Sequence, residues 1–600
     1  MSKKGSPQST SSRLSRYLIT TADERTWKYD RPVLFLGEWC KLYDRKSIWS
    51  KLDSLVAKPY GIEKIIKDRD YVYIYNLVDT LLVEVSILLN DYHKTNHSIR
   101  YWRILLGQWL HRCVSVVFNR WYALEQALDN YNISGTSILN DEQYSLATND
   151  SYSFIWACND NVWNHMLYAK ILYYNKCVDF EKVSLCLNDK TNFTWNDVPN
   201  QPANHSFKSL VTDVVRSFLQ KFSRNNDAVI IKSYLPKKEA IKLQLKLGQV
   251  PQFWDVPDAD PNEIDLKLRK ELSLKMYGNT DFEKFIRKII ISMVPACYLE
   301  GYSAMVKKAD DLPWPNNPEF IFTSNSFDTD EIFKAWAGSK VEQGAKYYTG
   351  QHGNNYGTLK YCSSETELVA TSDKFITWGW SDSRKNVIPA FNFKCPDQKN
   401  SHFRSDGGLL LIEVCSPHRL SPWDCYYEFG IYLNDQFRFV AALPSAIKDE
   451  LTVRLHSAIN LFQRSEKQMW CDEYSRVKLE SGKENINKLI SQSRIVVHSY
   501  DSTGILETLS MNIPTICFWQ NGIEHLNTNA IPYYEDLREV GIIADTPEHA
   551  AKLVGYYWDD IDAWWKSNRV QLARQNFCDN FSRFEIKPAN HIKRILCKQT

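Results

Sequence analysis

The sequence predicts an α/β protein of two lobes, each built on a Rossmann-type parallel sheet, with a large helical insertion in the first lobe. After residue 408, short apolar strands alternate regularly with helices, which favours a parallel sheet with right-handed crossovers. A looser alternation of the same kind begins at residue 319. Before it, long apolar-periodic stretches without proline indicate helices.

Each predicted strand is a short apolar run that ends at a turn. In the first lobe these runs are Pro32–Leu36, Ala228–Lys232, Glu319–Thr323, Lys346–Thr349 and Lys374–Thr377. In the second lobe they are Gly408–Val414, Thr452–Leu455, Arg494–His498, Thr515–Trp519 and 541–543. Predicted helices cover Asp70–Asn90, Ser98–Leu128, Asn161–Tyr174, Ser206–Phe222, Lys237–Leu247, Asp281–Lys307, 328–339, 431–442, 484–491, 502–511, 534–539 and Pro547–Tyr557.

These patterns set the expected domain boundaries. Residues 1–27 are expected to be a disordered basic lead containing Lys3, Lys4, Arg13 and Arg16. Residues 28–390 form the N-terminal lobe, with the helical insertion at about 68–225. A polar linker at 391–407 leads to the C-terminal lobe, 408–600.

Composition excludes several classes of protein. Of the 600 residues, 24% are charged and 44% apolar, as in folded globular proteins. The net charge of +2 gives no overall field toward a nucleic-acid backbone, so we expect no nucleic-acid partner. Fourteen scattered cysteines indicate free thiols in a reducing compartment. With no apolar signal segment or membrane-spanning run in the sequence, we expect a cytoplasmic protein.

Ligands of open parallel sheets bind beyond the carboxyl ends of the strands, so polar residues directly after strands are the candidates. The strongest signal is the polar turn and helix start after His498, which contains Ser499, Ser502 and Thr503. Hydroxyls at a helix N-terminus suit a phosphate, and Glu507, one turn further in, can reach a ribose. The alternative is an ordinary N-cap by Asp501 or Ser502.

Two more strand ends carry candidate donor-binding residues. Arg454 and His456 bring positive charge suited to phosphate, unless His456 is an ordinary surface histidine. Glu413 and His418 could contact a base or a phosphate, unless their loop is held only by local hydrogen bonds.

The segment Gly350–Gly357 (GQHGNNYG) holds three glycines in eight residues, which allows tight turns and close backbone approach. His352 is the catalytic candidate in this loop, and Gln351 and Asn354 are candidates for binding the acceptor.

Glu38 lies just past the first predicted strand, where a general base would stand, and Asp44 lies in the same loop. The alternative is that Glu38 or Asp44 pairs with Arg45.

A polar stripe runs along the helix Ser98–Leu128 at intervals of three and four residues, so its members share one face. This stripe either faces solvent or lines a cleft for the acceptor. Its members are Arg100, Arg103, Gly107, His111, Ser115 and Asn119.

Seven segments between about residues 17 and 585 together resemble a bacterial family of surface-polysaccharide transferases. They are FLGEWCKLYDRK, YWRILLGQWLHR, VFNRW, GQHGNNYG, TWGW, ETLSMNIPTICFW and DTPEHAAKLVGYYWDDIDAWW. The family is similar to two-lobed GT-B glycosyltransferases. It shares the QHG loop and a polar turn before a helix, here SYDST, with enzymes that transfer polyol phosphate from CDP-glycerol or CDP-ribitol. Arg454-Leu455-His456 resembles the His-Pro motif that contacts the CMP phosphate in CMP-ulosonic acid transferases, with Ser457 in place of proline.

This resemblance implies an enzyme of capsule, O-antigen or lipopolysaccharide synthesis that uses a nucleotide-activated sugar, a CMP-ulosonic acid first among them. The donor phosphate would lie on Ser502 and Thr503, His352 would approach the transferred group, and Glu38 would deprotonate the acceptor. GT-B enzymes usually need no metal, so we expect neither metal nor other cofactor. A glycan or lipid-linked acceptor would bring the protein to the inner membrane as a peripheral protein.

Two other functions remain open at this point. A transferase of polyol phosphate from a CDP-polyol would use His352 as the base on the acceptor. A non-catalytic glycan-binding or assembly protein would also fit the aromatic richness, although polar residues after five separate strands argue against a scaffold.

Overall fold

The computed structural model describes residues 14–139, 144–184, 192–199, 218–394, 403–414, 421–424, 428–457, 465–520 and 522–598. These residues form three parallel sheets of five strands each, with helices packed around them.

The strands of the first sheet lie in the order β3-β2-β1-β4-β5 and are all parallel. Between β1 and β4 the chain stops adding strands on one side of β1 and begins to add them on the other side. It consists of β1 (Arg16–Ile19), β2 (Val33–Phe35), β3 (Ser54–Val56), β4 (Ile133–Leu139) and β5 (Phe180–Val183). The expected lead therefore includes the central strand β1, and the expected helical insertion includes β4 and β5. Polar residues flank β1 in the sequence, and β4 (ISGTSIL) has no regular apolar pattern. Both segments are strands because each hydrogen-bonds to a neighbouring strand on both sides.

The second sheet runs in plain sequence order, β10-β9-β8-β7-β6. Its strands are β6 (Val229–Ile231), β7 (Phe320–Thr323), β8 (Lys346–Gly350), β9 (Lys374–Thr377) and β10 (Val387–Pro389). The four strands predicted between residues 228 and 377 are confirmed.

The third sheet repeats the order of the first, β13-β12-β11-β14-β15, with its reversal between β11 and β14. It consists of β11 (Gly408–Ile412), β12 (Leu451–Arg454), β13 (Lys478–Glu480), β14 (Ser493–His498) and β15 (Thr515–Cys517). The strand predicted at 541–543 is reduced to a single bridge from Ile543 to Cys517.

The predicted fold class is confirmed, with one correction to the count of lobes. The second and third sheets form the facing pair of Rossmann-type lobes of a GT-B-like fold, and the first sheet adds a third lobe. The C-terminal helix Pro588–Cys597 returns to the second lobe, where Lys374 Nζ donates to the carbonyl of Ile595 at 2.8 Å. Part of the expected linker is core, because Phe391 and Phe393 are fully buried; residues 395–402 lie outside the described part of the chain.

Helices fill the space between and around the sheets. The longer ones are Lys64–His93, Ile99–Asn130, Ser151–Ala157, Asn161–Asn175, Lys237–Lys246, Leu266–Glu271, Asp281–Met293, Tyr302–Asp310, Glu331–Glu342, Ser363–Thr371, Phe429–Ala442, Glu466–Glu473, Ile486–Ser491, Thr503–Ser510, Ile531–Glu539, Pro547–Tyr557, Asn568–Phe581 and Pro588–Cys597. Four short ones are Lys46–Trp49, Ser326–Thr329, Ser445–Lys448 and Ile561–Trp565. Pro295 ends one helix, which corrects the continuous helix predicted over Asp281–Lys307. Most of the predicted helix Ser206–Phe222 lies outside the described residues.

The two long helices lie side by side in the core. Ile99–Asn130 is buried over most of its circumference, including Trp102, Trp109 and Trp121. Lys64–His93 alone among the described helices has the length and apolar character of a membrane span, with a mean hydropathy of 1.7 over 18 residues. One side of it packs into the core through residues such as Leu81 and Val85.

Candidate functional site

The candidate site lies at the carboxyl ends of β6, β7 and β8, facing the third lobe. β8 ends at Gly350, where an added Cβ would lie 2.4 Å from Ser324 Oγ in the turn after β7. Only glycine permits this approach, and it brings the next residues, Gln351 and His352, to the gap between the lobes.

Gln351 shapes the loop from inside. Its Oε1 accepts from the backbone of Trp378 and from Trp380 Nε1, both at 2.9 Å, and its Nε2 donates to the carbonyl of Gly353 at 2.8 Å. Its side chain is buried. The structure therefore gives Gln351 a positioning role in place of the predicted contact with an acceptor.

His352 is enclosed by aromatic rings and is neutral at neutral pH. Its Nδ1 lies 2.8 Å from Tyr356 Oη, and the rings of Phe327 and Tyr234 are 5.5 and 6.3 Å from its own. Burial lowers the pKa of His352 to about 4, although the carboxylate of Asp328 opposes the shift. A neutral imidazole at a strand end can accept a proton from a substrate hydroxyl.

Asp328 is the charged group behind the histidine. Burial acts to raise the pKa of its carboxyl, but Arg112, which donates at 2.9 Å, holds that pKa below its usual range. The carboxylate thus stays ionised beside His352. On the other side, the turn after β6 puts Lys232 and Tyr234 in the left-handed region, at φ 41° and 62°. This costs backbone strain of the kind that collects at functional sites.

Lys394 brings a cation to the same gap. Its Nζ lies 3.6 Å from Glu507 Oε1 in the helix Thr503–Ser510 and 5.1 Å from the centre of the Tyr234 ring. That helix begins after Ser502, whose side chain makes no capping hydrogen bond to it. The structure therefore contains no N-cap by the Ser502 side chain, which was the alternative to a ligand site at this position. A helix N-terminus and a lysine at one gap suit an anionic group.

Asn354 joins the second and third lobes. Its backbone N–H donates to Thr503 Oγ1 at 3.0 Å, and its Nδ2 donates to Asp501 Oδ1 at 2.6 Å. Asp501 also contacts His525 Nε2 at 3.0 Å and the hydroxyl of Tyr534 at 3.3 Å. The side chains of Asn354 and Thr503 thus hold the lobes together, a role different from the ligand contacts predicted for them.

Glu38 and Asp44 line a separate cavity of about 440 Å³ between the first and third lobes. Glu38 opens the short helical turn Glu38–Cys40 and pairs with Lys41 at 3.2 Å; it approaches Gly430 of the third lobe. Arg45 pairs with Glu24, not with Glu38 or Asp44 as the alternative had it. The described lining of this cavity contains no residue of the His352 loop, so the two catalytic candidates do not share it.

Glu413 is buried at the reversal point of the third sheet, directly after β11. Trp470 Nε1 donates to its Oε2 at 3.2 Å, and the carboxyl of Glu466 lies beside it. Burial, and then the charge of Glu466, raise the pKa of Glu413 well above its usual range. The two carboxyls therefore share a proton, and Glu466 borders the Glu38 cavity.

The remaining predicted donor residues bind other side chains or lie at the surface. Ser499 Oγ lies 2.6 Å from Tyr432 Oη, beside Glu413. Arg454 pairs with Glu480 at 2.7 Å across neighbouring strands, and His456 is exposed after β12. His418 lies outside the described residues.

Most of the polar stripe of the helix Ile99–Asn130 is buried, and its part from Arg100 to His111 packs against the helix Ser363–Thr371. Arg100 donates to the carbonyl of Thr371 at 2.8 Å, and Arg103 pairs with Glu367 at 3.5 Å and with Asp79. His111 is 1% exposed and lies 3.8 Å from Glu367. These contacts correct the interpretation of the stripe as an acceptor surface.

Three side chains near the His352 site were missed from the sequence, Tyr234, Asp328 and Lys394, and so was Glu466 beside Glu413. Tyr234 and Asp328 each follow a predicted strand by a few residues, which was the available signal. Lys394 lay in the expected linker, and Glu466 gave no signal.

No group of His, Cys, Asp and Glu residues suited to a metal ion occurs among the described residues. Independence from metals stays a prediction.

A model of the LIC12162 family transferases matches residues 16–596, nearly the whole chain. The chain belongs to the LIC12162 family of transferases. It is therefore an enzyme that transfers a chemical group. No curated protein matches it in sequence.

Several solved structures are similar to parts of this transferase, at TM-scores below 0.5. MurG of Acinetobacter baumannii is 11% identical over 62% of this chain and 99% of its own, with a TM-score of 0.34. The wall teichoic acid polymerase TagF is 12% identical over 66% of this chain and 98% of its own, at 0.31. WaaG, a glycosyltransferase of lipopolysaccharide biosynthesis, is 9% identical over 62% of this chain and 100% of its own, at 0.30. The assignment of the fold therefore depends on the strand order of the three parallel sheets and not on these similarities.

Proposed function

We propose that this transferase is a glycosyltransferase of bacterial surface-polysaccharide synthesis that moves a nucleotide-activated sugar to a glycan acceptor. The observation that carries the proposal is the gap between the second and third lobes. A neutral His352 from one lobe and a helix N-terminus from the other meet there beside Lys394. A base and an anion site at one gap are what transfer from a nucleotide donor requires.

The donor would lie with its phosphate at the start of the helix Thr503–Ser510. Free N–H groups and the helix dipole favour an anion there, and Lys394 adds a full charge. We propose a cytidine nucleotide, with a CMP-activated ulosonic acid as the first candidate donor. The resemblance of Arg454-Leu455-His456 to the CMP-phosphate motif supports this choice.

His352 would take the proton from the acceptor hydroxyl. In the tautomer in which Nδ1–H donates to Tyr356 Oη, the lone pair lies on Nε2, which is 3.4 Å from the same hydroxyl, and a substrate hydroxyl would take the place of that contact. Asp328 would stabilise the imidazolium formed as the proton arrives, because its carboxylate stays ionised behind the ring.

Transfer of polyol phosphate from a CDP-polyol is the second candidate function. The observation that favours it is the same buried histidine, since this reaction also needs a base on the acceptor next to a phosphate site. Family membership sets aside the third alternative, a non-catalytic glycan-binding protein.

A thermal-shift screen against CMP, CDP, UMP, UDP, GDP and ADP, with and without magnesium, tests the donor. A ligand that binds only the folded state adds about 2.7 kcal/mol at 100 times its dissociation constant. We expect stabilisation by cytidine nucleotides without magnesium. Stabilisation by UDP or GDP alone contradicts the cytidine donor. The mass and phosphorus content of the product then separate sugar transfer from polyol-phosphate transfer.

We also propose that the enzyme works in the cytoplasm as a peripheral protein of the inner membrane. Ile65 and Ile87 on the outer face of the helix Lys64–His93 are 81% and 66% exposed, which supports contact with lipid. Arg16 of the basic lead cannot contribute, because it lies in β1 and pairs with Asp53 at 3.0 Å. Flotation with anionic vesicles, compared between wild type and Ile87→Ser, tests the proposal; equal flotation contradicts it.

A further inference from the structure

A cavity of about 920 Å³ lies apart from the His352 gap, and its described lining does not include His352. It lies at the carboxyl end of β9, between the second and third lobes, and the helix Lys64–His93 forms one wall. Lobe-to-lobe bonds separate it from His352. Asn527 Nδ2 donates to the carbonyl of Gly357 at 3.2 Å, and the backbone of Lys360 donates to that of His525 at 2.9 Å.

The walls of this cavity combine aromatic rings with uncharged hydrogen-bonding groups. Tyr75 from the helix Lys64–His93 and Tyr533 from the third lobe both line it and are partly exposed. Thr528 and Asn529 are exposed at its edge, and Asn580 faces it from the C-terminal helices. Aromatic faces with amides and hydroxyls around them match the apolar faces and hydroxyl edges of a sugar ring.

The cavity also offers one cation without a carboxylate partner. Arg384 is balanced by Asp382 and Glu365, which accept from its guanidinium. Lys360 pairs with Asp68 at 2.7 Å. The recorded partners of Arg583 are the backbone carbonyls of Asp579 and Gly379, with no carboxylate partner among the described residues.

We propose that this cavity binds the saccharide part of the acceptor, with an acidic group of that saccharide against Arg583. The proposal rests on the proposed function, in which His352 and the donor site occupy the neighbouring gap. A chain held here would have its growing end close to the loop that carries His352, because Gly357, the last glycine of that loop, lines the cavity. The acidic group can be a sugar carboxylate or a phosphodiester, since a guanidinium binds either.

Ligand-observed NMR with full-length protein tests the site with three probes: an oligogalacturonate, a glycerol phosphate oligomer and neutral maltohexaose. We expect an acidic probe to bind more tightly than maltohexaose. Tyr533→Ala should weaken that binding by about fivefold through loss of a ring face. Arg583→Gln should weaken it by more than about tenfold through loss of a charged hydrogen bond. Tyr556→Ala is the matched control, because Tyr556 is 82% exposed and does not line the cavity.

The outcomes separate this site from the proposed function. No binding of any probe, or equal binding by wild type and both cavity variants, overturns the cavity proposal. Wild-type binding that the two variants lose, in a protein that transfers no sugar or polyol phosphate, keeps the cavity and removes the proposed function. The preference between galacturonate and glycerol phosphate identifies the acidic group. Circular dichroism of each variant confirms that it is folded.

Discussion

Asn354 of the second lobe donates to Asp501 of the third at 2.6 Å, in a buried contact between the His352 loop and the polar turn after β14. Both strand-end segments that the sequence marked as ligand sites thus meet each other. The carboxylate of Asp501 also contacts His525 Nε2 and the hydroxyl of Tyr534. One carboxylate thus fixes the geometry of the gap.

Replacing Asp501 by alanine should destabilise the protein by about 3–5 kcal/mol, because it leaves buried polar partners without their acceptor. Urea unfolding followed by fluorescence measures this. Asp545→Ala is the control: its exposed pairing with Arg538 at 3.6 Å predicts a change within about 0.5 kcal/mol. An equal loss in the free energy of unfolding for the two substitutions would show that the contacts of Asp501 do not stabilise the protein.

Three buried histidines should make the protein less stable in mild acid. Burial lowers the pKa of His165 and His352 to about 4 and that of His498 to about 3. The unfolded chain binds protons at these sites from about pH 6.5 downward and the folded chain does not, so stability is lost as pH falls from 6.5 toward 4. Each histidine contributes a slope of up to about 1.4 kcal/mol per pH unit.

Urea midpoints measured between pH 4.5 and 7.5 test this slope. His165→Asn should flatten the curve, while His549→Asn should leave it unchanged, because His549 is exposed. A curve with the same slope in His165→Asn and wild type contradicts the prediction for that site.

The sequence was informative where local pattern and structure agree. Four of the five strands of the third sheet follow from its regular alternation, while the edge strand β13 was not predicted. The glycine loop of His352 follows from Gly350 and its neighbours. β1 and β4 could not be predicted, because RYLI and ISGTSIL become strands through pairing on both sides. Missing them merged two lobes into one.

The site was predictable one residue at a time but not as a set of contacts. Post-strand position predicted that His352 and the turn after β14 lie at facing sheet edges, and the close approach of Gly353 to Thr503 agrees with this; the role of Ser502 in binding stays a prediction. Post-strand position could not show that Asn354 and Thr503 bind each other, or that the stripe of Arg103 and His111 meets Glu367, since these contacts join segments distant in sequence. Glu38 and His352 both follow strands, yet different sheets carry them to different places: Glu38 lines the cavity between the first and third lobes, and His352 does not.

Glu413→Gln should raise stability in alkaline solution. The pKa of Glu413 is raised, so the proton shared with Glu466 contributes stability at low pH that is lost as pH rises above the unfolded value near 4.5. Glutamine mimics the protonated acid and removes this loss. Unfolding of both proteins at pH 5 and pH 8.5 measures this as a difference, in which the histidine contribution common to both cancels: Glu413→Gln should gain stability relative to wild type between the two pH values. Glu539→Gln, at an exposed pair, is the control, and a Glu413→Gln variant that changes with pH as wild type does speaks against the shared proton.

His352→Asn and Glu38→Gln should differ in their effect on turnover. His352 lies at the gap with the proposed anion site, so its loss should lower kcat by about 10²–10⁴-fold. Glu38 pairs with Lys41 in the other cavity, and Glu38→Gln should cost less than about tenfold on the same scale. Because the pKa of His352 is about 4, kcat/KM of wild type should stay level from pH 8 to about 5 and fall only toward pH 4.

A larger loss of kcat in Glu38→Gln than in His352→Asn would assign the base to Glu38. It would also move the acceptor to the cavity between the first and third lobes. That result would also link the shared proton of Glu413 and Glu466 to the chemistry, since Glu466 borders that cavity. Full turnover in both variants would remove both residues from catalysis. Equal unfolding midpoints for the two variants and wild type are needed for the comparison, because only then does a loss of kcat report the proton transfer itself.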